Sequence, residues 1–188
     1  PQTEAQEVNT RPVVFNVTGS MNEALDGLNV ISGQLTVTDP DIGNTHTFYA
    51  VNGTLLLNGQ PAPAGIVLVL NTDGSYSVTG DFNALSVGEN AVVTFQYYAV
   101  DNGLDIGAPH ASIPATVTLT VVGTNDQPVV SDVTATQAEV INGLNTFTGT
   151  LTASDDDIND THTFFAVENS LHVKRYLNLP SHNARVIR

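Results

Sequence analysis

Cysteine is absent from the 188 residues, which excludes disulfides, thiolate zinc sites and thiol catalysis. Tryptophan is absent too, and aromatic residues make up only 6% of the chain. Glycosidase chemistry, which needs paired carboxylates beside a substrate cleft, and sugar binding by ring stacking therefore have little to build on. Basic residues are scarce: 5 Lys and Arg stand against 19 Asp and Glu, for a formal charge of −14. That balance disfavours nucleic acid and anionic membranes as partners. No apolar run approaches the roughly 20 residues that cross a bilayer. Pro1–Thr10 is polar, without the apolar stretch of a secretion signal. Charged residues are only 13% of the chain, too few for helices laced with surface ion pairs.

What remains is rich in Thr, Val, Asn and Gly, with 41% hydrophobic residues, ample for a core. Thr and Val favour pleated, half-buried surfaces, while Gly, Asn and Asp favour turns. Extended segments are predicted at Leu35–Thr38, Thr47–Val51, Thr54–Leu57, Ile66–Leu70 and Ser75–Val78. Residues 71–74 (Asn-Thr-Asp-Gly) read as a turn, and Asp81–Leu85 as a single helical turn. The clearest strand is Ala91–Val100, where Ala91, Val93, Phe95, Tyr97 and Ala99 share one face, leaving Tyr98 on the other. In Thr116–Val122, Val117, Leu119 and Val121 face inward. Short strands with turn signals at this spacing give an all-β chain, best read as a Greek-key β-sandwich.

The chain repeats itself. A shift of 116 residues lays Pro12-Val13-Val14 on Pro128-Val129-Val130 and Thr45-His46-Thr47-Phe48 on Thr161-His162-Thr163-Phe164. Between residues 12 and 51, 21 of 40 positions are identical without a gap. The reading is an upstream linker end at 1–11, a complete repeat at 12–124, a linker at 125–128 and a partial second repeat at 129–173. Lacking partner strands for its sheet, the second copy is expected to pack poorly. Lys174, Arg175, Arg185 and Arg188 mark 174–188 as an atypical basic tail.

The acids recur with the repeat. Asp39-Pro40-Asp41-Ile42-Gly43-Asn44 ends a strand, and Asp155-Asp156-Asp157-Ile158-Asn159-Asp160 occupies the same place in the second copy. Carboxylates two residues apart repel each other and are tolerated in open solvent or around a cation. Calcium takes six to eight oxygen ligands, and these turns supply oxygen but neither nitrogen nor sulfur. Solvated turns are the ordinary use of such residues; the repetition, with further acids at Glu23, Asp101 and Asp126, favours calcium. His46 and His162 read as surface or packing residues, and His110 as isolated. Ser20, Ser32 and Ser75 have no His and acid in a triad arrangement, so no enzyme activity is expected.

Several stretches carry a family resemblance: Gly33-Gln34-Leu35-Thr36-Val37-Thr38-Asp39, Thr45-His46-Thr47-Phe48, Asp73-Gly74-Ser75-Tyr76 and Gly123-Thr124-Asn125-Asp126-Gln127-Pro128. Over about residues 12–173 the chain resembles the VCBS-type, cadherin-like repeats of large bacterial RTX adhesins. That resemblance implies a seven-strand sandwich with Ca²⁺ at the junctions between consecutive repeats. Carried over by position, Glu23, Asn125, Asp126, Asp155 and Asp157 would hold the ion at the lower junction. Asp39, Asp41 and Asp101 would face a preceding repeat. There the upstream linker departs from the pattern, reading Asn9-Thr10-Arg11-Pro12, with Thr10 in place of the acid and Arg11 adding positive charge. The implied function is a calcium-stiffened spacer of an extracellular or cell-surface adhesin, exported by type I secretion and serving adhesion or biofilm formation. Its implied partners are neighbouring repeats, with homophilic or cell-surface contact a further expectation. An accessory spacer of a secreted hydrolase, or a calcium-triggered self-cleaving module at Asp39-Pro40, are the alternatives.

Overall fold

The computed structural model describes residues 8–103 and 110–172. The basic tail anticipated at 174–188 lies outside the described residues, as do residues 1–7 of the upstream linker. The strands in chain order are β1 (Val13–Val14), β2 (Val17–Asn22), β3 (Asn29–Gln34), β4 (Val37–Thr38), β5 (His46–Ala50), β6 (Leu56–Leu57) and β7 (Gln60–Pro61). They continue with β8 (Val67–Leu70), β9 (Ser75–Gly80), β10 (Asn90–Asp101), β11 (Ala115–Val122), β12 (Val129–Val130) and β13 (Ala153–Ser154). Among the described residues there is no helix.

Two sheets face each other. One runs β2-β11-β10-β6-β7, with β5 also paired to β10; the other runs β3-β9-β8. The chain crosses between these sheets from β2 to β3, from β3 to β5, from β7 to β8 and from β9 to β10, so the complete repeat is an all-β sandwich. Strict alternation builds its core. Ala91, Val93, Phe95, Tyr97 and Ala99 on β10 and Val117, Leu119 and Val121 on β11 are buried, as their period of two dictates. Tyr76 of β9 meets Phe95 of β10 edge-on, with ring centroids 5.6 Å apart, joining the sheets. Each such side chain contributes roughly 1.5–3 kcal/mol through burial. The Tyr97 hydroxyl donates to the Phe15 carbonyl at 2.7 Å, tying β10 to the chain entering β2. On the outer face Tyr98 stacks on its cross-strand partner Tyr49.

Several sequence expectations shift. The strand expected at Leu35–Thr38 breaks at Leu35. There the backbone leaves β9, Leu35 N donates to the Gly74 carbonyl, and pairing resumes only between β4 and β1. Thr54–Leu57 is extended only at β6. The helical turn expected at Asp81–Leu85 is a simple turn closed by Leu85 N to the Phe82 carbonyl at 3.1 Å. Residues 71–74 form the expected turn, with Gly74 at φ 86° and its N donating to the Asn71 carbonyl. β2, Val-Thr-Gly-Ser-Met-Asn, has a weak apolar pattern. Its extended form comes from parallel pairing with β11, Val17 beside Val117 through Asn22 beside Val122.

The second copy reproduces the pairing of β1 with β4, while its segments equivalent to β2, β3 and β5 form no strand among the described residues. β12 and β13 pair Val129 with Ser154 and Val130 with Ala153, the register of Val13 with Thr38 and Val14 with Val37 moved by 116 residues. Without counterparts of β2, β3 and β5 among the described residues, its apolar side chains stay open. Leu151 is 58% exposed where its equivalent Leu35 is 2% exposed.

Candidate metal centre

The lower end of the sandwich is set by the parallel pair β2 and β11. Parallel strands finish side by side, so Glu23 and Gly123-Thr124 emerge together, with Glu23 N donating to the Val122 carbonyl at 2.9 Å. The Glu23 turn is clamped by Asn29: its Oδ1 accepts from Ala24 N and its Nδ2 donates to the Asn22 carbonyl, both at 3.0 Å. Glu23 Oε1 then accepts from the backbone N of Thr124. Two residues on, Asp126 N donates to Asp157 Oδ2 at 2.8 Å, which brings the acidic turn of the second copy against the linker. Ser86 Oγ donates to the Ile158 carbonyl at 2.9 Å, a second link between the copies. Gly123 makes room for this packing, because a Cβ there would lie 2.2 Å from the Ser86 carbonyl oxygen.

The result is a set of buried carboxylates with spare oxygens. Glu23, Asp126 and Asp157 are 5%, 6% and 4% exposed, and Glu23 Oε2, Asp126 Oδ2 and Asp157 Oδ1 are buried without a hydrogen-bond partner. Burial pushes the Asp126 carboxyl above its usual range, and the charges of Asp157, Glu23, Asp156 and Asp155 push it further. An orphaned buried carboxylate oxygen is costly. Three at one junction suit a hard cation that prefers oxygen. As the chain stands, no group of three or more His, Asp or Glu side chains among the described residues is arranged to hold a metal ion. Asn125 is exposed, and its Nδ2 donates to the Asp126 carbonyl. Asp155 has both oxygens engaged: Oδ1 accepts from Asp157 N at 3.1 Å and Oδ2 pairs with His162 Nε2 at 2.9 Å. The His162 bond is the main cause holding the Asp155 carboxyl below its usual range. Beside the linker, Leu25, Asp26, Val129, Val130 and Asp156 border an open cleft of about 840 Å³.

The upper end gathers Asp39, Asp41 and Asp101 in another manner. β5 and β10 place His46 opposite Asp101. Asp39 Oδ1 accepts from Asp41 N at 2.9 Å, and Asp39 Oδ2 pairs with His46 Nε2 at 2.8 Å. Asp41 Oδ2 accepts from Thr10 N, the same bond that Asp126 N makes to Asp157 below. Asp101, 6% exposed, accepts from Gly103 N, pairs with His110 Nδ1 at 2.8 Å and accepts from Asn9 Nδ2 at 3.1 Å. Burial would raise its carboxyl, but these bonds together outweigh burial and hold it low. Side-chain amides, backbone N–H groups and histidines thus answer the upper acids, while the lower junction keeps spare oxygens.

Sequence reading placed the acids but missed their holders. His46 and His162 are acid partners rather than bare surface or packing residues, and His110 is not isolated. The signal was the repeat: a His seven residues after the first Asp of each acidic turn, and an Asn at both 29 and 145.

No family model matches the chain, and no curated protein matches it. Among solved structures, a nucleoside hydrolase-related hypothetical protein from Saccharophagus degradans, associated with carbohydrate metabolism, is similar at 16% identity and TM-score 0.35. That likeness covers 61% of this chain but only 26% of that one. The titin M3 domain is similar at 12% identity and TM-score 0.21, over 57% of this chain and 95% of that domain.

Proposed function

We propose that this chain is a calcium-binding spacer segment of an extracellular bacterial adhesin, stiffened by Ca²⁺ at the junction between its two repeats. The observation that carries the reading is the trio of buried, unpartnered oxygens on Glu23, Asp126 and Asp157, contributed by the base of one repeat, the linker and the top of the next. Bound there, the ion would supply positive charge that neutralises the three carboxylates. Without it, their mutual repulsion opposes closure of the junction. Glu23 fixes the end of the first sandwich, Asp126 fixes the linker, and Asp157 fixes the acidic turn of the second copy. Sharing one cation among them would couple the orientations of the copies and straighten the array. Calcium is scarce in cytosol and plentiful outside cells, so such a chain would be slack during export and rigid afterwards.

Binding to the ordered state alone stabilises it by RT ln(1 + [L]/Kd), about 2.7 kcal/mol at a hundredfold excess. Titration calorimetry with CaCl₂, paired with thermal melting in chelator and in Ca²⁺, tests the reading. Heat of binding and a raised melting temperature are expected. The absence of both contradicts it.

A further inference from the structure

We infer that His162 is a positioning residue for the junction cation site, acting through Asp155 on Asp157. This rests on the function proposed above and adds to it a residue that touches no ligand.

The observation is a relay of three hydrogen bonds. His162 Nε2 stands 2.9 Å from Asp155 Oδ2. A carboxylate only accepts, so Nε2 carries the proton and donates. Asp157 N donates to the other oxygen of Asp155 at 3.1 Å, and Asp126 N donates to Asp157 Oδ2 at 2.8 Å. Asp155 is therefore held at both oxygens, its carboxylate 4% exposed and the imidazole 24% exposed. Asp157 is fixed at its backbone N and at one carboxylate oxygen, which leaves Oδ1 as the buried, unpartnered atom. Without the imidazole, Asp155 Oδ2 loses its donor and the carboxylate is free to rotate. The Asp157 turn then loses its anchor, and Oδ1 loses its fixed direction.

The same relay stands at the upper end. His46 Nε2 lies 2.8 Å from Asp39 Oδ2, Asp41 N donates to Asp39 Oδ1 at 2.9 Å, and Thr10 N donates to Asp41 Oδ2. Two occurrences at a 116-residue shift make the imidazole part of the turn's design. Groups that orient ligands from behind typically govern affinity by 10–100-fold.

The test uses the full chain and Ca²⁺ in titration calorimetry. His162→Ala is expected to weaken Ca²⁺ binding tenfold or more. His162→Gln, whose Nε2 reproduces the donor, is expected to stay within about threefold of the unmutated chain, as is His46→Ala in the upper relay. Hydrogen exchange at the Asp126 amide, measured in chelator, reports the positioning without any ion. It should quicken in His162→Ala and recover in His162→Gln. Unchanged affinity and unchanged exchange in His162→Ala overturn the inference, and so does a Gln variant as defective as Ala in both. If the unmutated chain takes up no Ca²⁺, the spacer reading falls, and the Asp126 amide alone decides the positioning role by the same criterion.

Discussion

Asn29 and Asn145 make the same two hydrogen bonds in different surroundings, which isolates what burial is worth. Asn29 Oδ1 accepts from Ala24 N and Nδ2 donates to the Asn22 carbonyl, each at 3.0 Å; Asn145 bonds Val140 N at 2.9 Å and the Ala138 carbonyl at 2.8 Å. Asn29 is 2% exposed, while Asn145 lies open to solvent. Truncating Asn29 removes two part-buried bonds worth about 1 kcal/mol each net and leaves the Ala24 N–H and the Asn22 carbonyl without these partners, for a total of about 2–4 kcal/mol. At Asn145 water replaces the amide, and the cost stays below about 1 kcal/mol. Urea unfolding of Asn29→Ala and Asn145→Ala, followed by circular dichroism, reads the difference. With a slope near 2 kcal/mol/M, the Asn29→Ala midpoint should fall by about 1–2 M. Because Asn29 shapes the Glu23 turn, its loss should also weaken Ca²⁺ binding. Equal effects at the two sites, or a loss under about 0.5 kcal/mol at Asn29, refute the reasoning.

Asp157→Asn should reverse its sign with the medium: in chelator the melting temperature rises because one of the crowded charges is gone, and in Ca²⁺ the metal-dependent rise shrinks. Gly123→Ala places a methyl against the Ser86 carbonyl and should cost about 1–3 kcal/mol in urea unfolding, through displaced backbone. Asp101 has its carboxyl lowered from 3.8 in the folded state, so its contribution is complete above that value and is lost as pH falls through the lower folded value. The stability gap between the unmutated chain and Asp101→Asn, read from urea midpoints, should therefore be constant near neutrality and narrow below about pH 4.

β10 and β11 were legible because an inward residue every second position is a local property, and the acidic turns because they recur at a fixed shift. β2 was not, since Gly19 breaks its apolar pattern and its strand form depends on β11, about 100 residues away. The break at Leu35 depends on where β9 ends and β1 begins, which no window around Leu35 contains. At the junction, the acids themselves could be read from the chain. That Glu23, Asp126 and Asp157 each keep a buried, unpartnered oxygen, while Thr10, His46, His110 and Asn9 bond the acids of the upper end, follows only from the fold. Pairing an Asp with a His seven residues on needs the turn between them, which Gly43 at φ 91° and Asn159 at φ 77° close in the two copies.

The most direct measurement is a crystal structure of the chain grown in millimolar CaCl₂. The account predicts an ion at the junction bonded by Glu23, Asp126 and Asp157 at about 2.3–2.6 Å. Those three carboxylates found separated, each turned to water and with no ion between them, would contradict it.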